Sequence, residues 1–211
     1  MEAGRFIDLD RWKRGEHFRF FRSTALPFFN VCVDVDVTRL WGRSREPGGP
    51  SFYLGSVHAG VVAANAIDAM RLRIRGQRVW LHARVALSST VLRPDETFGF
   101  ARFAPAADYS AFERAGREEV ERAKASPTPL AEPAGDDVVY HSTLPWIRFT
   151  GFSNALPLGE DSIPRLVYGK CFSDGERWRM PVAIEVHHAL ADGLDVARFL
   201  EALETSLDSA R

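Results

Sequence analysis

The stretch that most constrains the fold of this chain is VAIEVHHALADGLDVARFL, Val182 to Leu200. Its first half alternates, with Val182, Ile184 and Val186 on one parity, which is the period of a strand buried on one face. After Gly193 the period changes. Val196, Phe199, Leu200, Leu203 and Leu207 recur at helical spacing, so a strand feeds directly into an amphipathic helix. Between the two lie adjacent histidines and an Asp-Gly step. Parity puts His188 on the Val/Ile face and His187 on the face of Ala183 and Glu185.

Other segments supply more strands and helices. FFNVCVDVDVTRLW, Phe28 to Trp41, alternates around Val31, Val33, Val35 and Val37 and predicts a half-buried strand. The Gly/Pro-rich SREPGGPS is a connection, after which Tyr53, Val57, Val61 and Ala64 mark one helical face. RLRIRGQRVWLHARVALSSTV reads as a hairpin turning at Gly76-Gln77, and Tyr109 to Ala125 as a charged amphipathic helix. IPRLVYGKCF and RWRMPVAIEVHH read as strands joined across SDGE. SPTPLAEPAGDD is the most linker-like stretch, too short to define a domain boundary. Without regular strand-helix-strand alternation, the pattern predicts an α+β sandwich with helices on one face of a sheet, in a single domain over residues 1–211.

Charge and cysteine content narrow the partners. A formal net charge of -1 with interspersed signs offers no footprint for nucleic acid or an anionic membrane surface, so a small-molecule ligand is expected. Cys32 and Cys171 are far apart and outside any CxxC motif, and His58 and His82 have no ligand-like partners at metal spacing. The N-terminus lacks a signal-peptide apolar core and no window reaches the length of a membrane span, so a cytoplasmic location is expected.

His188 is the strongest chemical candidate. At a strand end beside apolar groups, desolvation favours its neutral form, the state a general base needs. A core histidine followed by an ordinary Asp-Gly turn accounts for the spacing to Asp192 equally well, because four residues of separation show no role by themselves. His58 and His82 read as packing residues. Phe98, Phe100 and Phe103 read as sheet or core aromatics or as the lining of a ligand channel.

His187-His188-Ala-Leu-Ala-Asp192-Gly193 resembles the HHxxxDG signature of CoA-dependent acyltransferases of the chloramphenicol acetyltransferase family. WKRGEHFRFFR, Trp12 to Arg22, and STLPWIRFTGF, Ser142 to Phe152, resemble segments of that family in the same order. The chain holds one such domain, as in the small trimeric branch. The resemblance implies a two-layer α+β sandwich of a mixed β-sheet with helices packed on one face, assembled as a homotrimer with interfacial active sites. It implies acetyl-CoA as co-substrate, no metal, and direct transfer to a hydroxyl of a small-molecule acceptor. By the same resemblance His188 is the general base and Ser142 steadies the oxyanion. Asp192 turns away from His188 to pair with Arg14, and His187 is structural. Lys170 lies near the CoA tunnel, and Phe20, Phe21 and Phe29 are apolar walls of the acceptor pocket.

The chain departs from the family where the acceptor and tunnel lie. Val167 stands in place of a threonine, Tyr140 in place of an asparagine, and Cys171 in place of an aromatic residue. These departures predict that chloramphenicol is a poor acceptor or not the physiological one. Alternatives are O- or N-acylation of a natural product, with another acyl donor, and a non-catalytic trimeric binding protein. The intact set of Arg14, Ser142, His188 and Asp192 argues against the last.

Overall fold

A computed structural model describes residues 3–128, 130, 135–157 and 161–209 of the chain. In order, its elements are β1 (Gly4–Phe6), α1 (Gly15–Phe21), β2 (Phe28–Asp36), α2 (Thr38–Arg43), α3 (Phe52–Ala66), α4 (Asp68–Arg71), β3 (Leu72–Arg75), β4 (Arg78–His82), β5 (Ala86–Leu92) and β6 (Phe98–Phe103). There follow α5 (Tyr109–Ala125), β7 (Val138–Thr143), β8 (Arg165–Tyr168), β9 (Phe172–Asp174), β10 (Arg177–His187) and α6 (Gly193–Ser209). Five residues of the Pro/Ala-rich stretch, 129 and 131–134, lie outside the described residues.

The large sheet has seven strands in the order β2-β10-β8-β7-β5-β6, with β9 also pairing with β10. It is mixed: β5–β7 and β7–β8 run parallel and the other neighbours antiparallel. A smaller sheet, β1-β4-β3, packs with α1 around Phe18, Leu72, Val79 and Leu81. The main core lies between the large sheet and the helices, where Val182, Ile184 and Val186 of β10 meet residues such as Val57, Phe199 and Leu203. On the opposite face Val167 and Ala183 are covered by Phe149. The helices therefore occupy one face, as the periodicity predicts.

Helix α3 differs from its expected single apolar face. Leu54, Val57, Ala59, Val61, Ala63 and Ala64 are all buried, so most of its circumference is inside. Small residues make this possible. A Cβ at Gly60 would lie 2.7 Å from the Tyr168 hydroxyl and 3.1 Å from a Leu87 methyl, which explains glycine where the helix meets the sheet.

Three boundaries also differ from the pattern. The run from Phe28 ends as a strand at Asp36, whose carboxylate accepts from the Thr38 amide at 2.9 Å, and Trp41 lies in α2. The hairpin at Gly76 closes at φ +60, but its second strand stops at His82 and β5 joins the other sheet. IPRLVYGKCF divides into β8 and β9. Pro181, on the facing strand, accepts from the Gly169 amide at 2.8 Å yet has no N–H to return, so the ladder breaks there.

Candidate active site

At the end of β10 the register pairs Val186 with Phe29 and His187 with Phe28. The His188 amide donates to Pro27 O at 2.7 Å, and the chain then turns back so that the Leu190 and Ala191 amides donate to His187 O at 2.9 and 3.1 Å. This turn brings Ala191 O to 3.0 Å from His188 Nδ1. A carbonyl only accepts, so Nδ1 carries a proton, and in the neutral imidazole it is Nε2 that keeps the lone pair. Phe21 stacks on the imidazole at 4.0 Å between centroids and Phe29 packs at 4.9 Å, holding the ring in place.

Arg14, at the start of α1, secures this turn. Its guanidinium is largely buried and pairs through Nη1 with Asp192, while Nη2 donates to His188 O at 3.2 Å. The other Asp192 oxygen caps α6, accepting from the amides of Leu194 at 2.9 Å and Asp195 at 3.3 Å. Partial burial of Asp192 opposes ionisation, but the hydrogen bonds from the Asp195 amide and Arg14 prevail and hold its carboxyl below the usual range. Asp192 thus engages Arg14 and the helix end, with no bond to the His188 ring among the described residues. His187 is buried edge-on against Phe28, accepts from the Ala189 amide at 3.2 Å, and has its pKa lowered to about 4 by desolvation.

Ser142 belongs to a second cluster. It is next to last in β7, inside the sheet rather than in a loop, and its Oγ lies 2.9 Å from Thr90 Oγ1 of β5. One residue back along both strands, on the helix-facing side, Ser89 Oγ lies 2.8 Å from His141 Nδ1 and 3.1 Å from the Tyr53 hydroxyl. His141 is fully buried, and desolvation lowers its pKa to about 3. A cleft of about 440 Å³ contains Ser142 together with Tyr140, Asn154, Arg165 and Val167. Lys170 and Cys171 instead line a largely apolar cavity of about 550 Å³, with Tyr53, Trp146 and Tyr168. Burial raises the Cys171 pKa to about 11, which keeps the thiol neutral. Thr90 lines both cavities.

The register separates the two clusters. Ser142 is level with Val167, and Val167 with Ala183, whereas His188 lies five residues beyond Ala183. At ~3.3 Å per residue and ~4.8 Å per strand, this is roughly 16 Å along the sheet and about 10 Å across it. One protomer therefore assembles His188, Arg14, Asp192, Phe21 and Phe29 at one end, and Ser142, Tyr140 and Val167 at another place. Lys170 stands at the cavity on the helix side.

Phe20 stands apart from Phe21 and Phe29 in the single chain. It is 72% exposed and meets Phe21 edge-on at 4.9 Å, because Phe18 and Phe21 occupy the inward face of α1 and the next position rotates outward. Thr90, Asn154 and Arg165 escape a reading of the sequence alone. Thr90 and Ser142 are 52 residues apart, and no periodicity signals that their hydroxyls meet. Among the described residues there is no group of three or more His, Cys, Asp or Glu able to hold a metal ion, and no helix is long and apolar enough to cross a membrane.

Comparison with known proteins adds a family. Residues 4–204 match the family model described as chloramphenicol acetyltransferase. Chloramphenicol acetyltransferase 3 of Escherichia coli is 30% identical over 208 residues, covering 96% of each chain. A chloramphenicol acetyltransferase of Streptomyces acrimycini is 32% identical, covering 95% of this chain and 93% of the other. A solved chloramphenicol acetyltransferase superposes with a TM-score of 0.85 at 26% identity, over 97% of this chain and 99% of its own.

Proposed function

The chain belongs to the chloramphenicol acetyltransferase family, and from that premise we propose that it transfers an acetyl group from acetyl-CoA to a hydroxyl of a polar small molecule. The observation that carries this reading is the tautomer of His188. With Nδ1–H committed to Ala191 O, Nε2 is available to take the acceptor's hydroxyl proton as that oxygen attacks the thioester carbonyl. The tetrahedral oxyanion accepts a hydrogen bond from Ser142. Collapse expels the CoA thiolate, which recovers the proton from the imidazolium, so no acyl-enzyme forms.

Both groups must lie within about 3 Å of the reacting atoms, yet register separates them by several times that distance within one chain. We therefore assign each site to two subunits, the Ser142 of one facing the His188 of a neighbour, in a homotrimer. The apolar cavity bearing Lys170 suits the uncharged pantetheine arm, and the exposed lysine at its wall suits the phosphates of CoA. Val167 and Tyr140, which stand where the family has a threonine and an asparagine, line the cleft bearing Ser142, and these two substitutions are the reason to expect an acceptor other than chloramphenicol, such as a natural product. Acetyl-CoA is a cytoplasmic metabolite, and the cytoplasm is the expected place of action.

Thiol release from acetyl-CoA, measured against a panel of hydroxylated antibiotics and metabolites, tests the reaction; release no faster than the rate without acceptor across the panel contradicts it. Mixing tests the shared site. His188→Ala and Ser142→Ala homo-oligomers should each be nearly inactive, and subunit exchange between them should restore activity by pairing an intact His188 with an intact Ser142. No recovery in verified mixed oligomers would show that the site lies within one chain.

A further inference from the structure

We infer that Thr90 is a positioning residue that orients and polarises the Ser142 hydroxyl, an inference that rests on the proposed oxyanion role of Ser142. The two oxygens lie 2.9 Å apart and share one hydrogen bond, for which there are two arrangements. If Ser142 donates to Thr90, its single proton is committed and cannot reach an oxyanion. If Thr90 donates, the Ser142 proton is free to point into the cleft, and accepting a hydrogen bond strengthens Ser142 as a donor. Only the second arrangement is compatible with oxyanion stabilisation.

The surroundings hold this pair in register. β5 and β7 run parallel with Ser89 opposite His141, and those two side chains are bonded at 2.8 Å on the helix-facing side. Tyr53 of α3 bonds to the same Ser89 hydroxyl. The inner bonds fix the spacing of the strands, and Thr90 and Ser142, one residue further along each, inherit that spacing. Thr90 is β-branched and in a strand, so its χ1 is restricted and its hydroxyl direction is defined. Thr90 also belongs to the walls of both the cavity bearing Lys170 and the cleft bearing Ser142, and its hydroxyl meets Ser142.

The test is steady-state kinetics by thiol release, with acetyl-CoA as donor and chloramphenicol as the probe acceptor. Thr90→Val keeps the shape and removes the donor, and should lower kcat roughly three- to tenfold while KM for each substrate stays within about twofold. Thr90→Ser restores a hydroxyl and should return kcat to within about twofold of the parent protein. In a Ser142→Ala background, Thr90→Val should change kcat by less than about twofold, since the group it positions is gone. A silent Thr90→Val beside a damaging Ser142→Ala overturns the inference alone, as do losses that multiply in the double variant. A silent Ser142→Ala overturns the oxyanion reading and this inference with it.

Discussion

Asp192→Asn separates two jobs that one carboxylate performs at the turn after β10. Asparagine keeps a side-chain oxygen for the Leu194 and Asp195 amides, so the α6 cap survives, but the ion pair with Arg14 is lost. A hydrogen bond between charged groups contributes about 1.5–3 kcal/mol when well shielded. The Asp192 side chain is 39% exposed against 11% for Arg14, so solvent screening reduces this to ~1 kcal/mol. Arg14 also holds His188 O, and a turn loosened by that amount should lower kcat roughly fivefold. Asp192→Ala removes the cap as well and should cost about 1 kcal/mol more. Urea unfolding at fixed protein concentration, together with kcat, should give a coupling of ~1 kcal/mol between Asp192→Asn and Arg14→Val. Additive losses would show that the residues do not act as a pair. A drop in kcat of about 10⁴ with stability unchanged would instead make Asp192 a partner of the His188 ring.

His188→Ala should lower kcat at least about 100-fold while acetyl-CoA affinity, followed by tryptophan fluorescence, stays within about twofold; retention of more than about a hundredth of kcat removes His188 from the base role. Stability should depend on acid through His187 and His141. Burial holds their folded pKa values at about 4 and about 3, below the usual value of 6.5, so below pH 6.5 the unfolded chain binds the additional protons. Their contribution is complete above pH 6.5 and is lost as pH falls toward about 4 for His187 and about 3 for His141; a Tm that stays flat from pH 7 to pH 4.5 would contradict this. With chloramphenicol as varied acceptor, kcat/KM should stay below about 10⁶ M⁻¹s⁻¹, and Val167→Thr should raise it; a value near 10⁷ in the parent protein would mean that Val167 and Tyr140 do not discriminate against it.

Local patterns in the chain determine a good deal of this molecule. Val182, Ile184 and Val186 mark the buried face of β10, the spacing from Val196 to Leu207 marks α6, and Tyr109 and Ala125 bound α5 as the charge pattern predicts. HHxxxDG, with the segments at Arg14 and Ser142, leads to the family, because such motifs preserve the order of groups along the chain. Tertiary structure decides what depends on neighbours distant in sequence. Pro181 breaks the strand facing it, and whether α3 is buried on one side or most sides depends on the sheet and helices around it. Phe21 covers His188 while Phe20 turns away, a distinction set by the rotation of α1 rather than by residue type. The bond between Thr90 and Ser142 and the separation of Ser142 from His188 arise from strand order and register. These are long-range pairings that no local period encodes, since the same alternation is compatible with many partners.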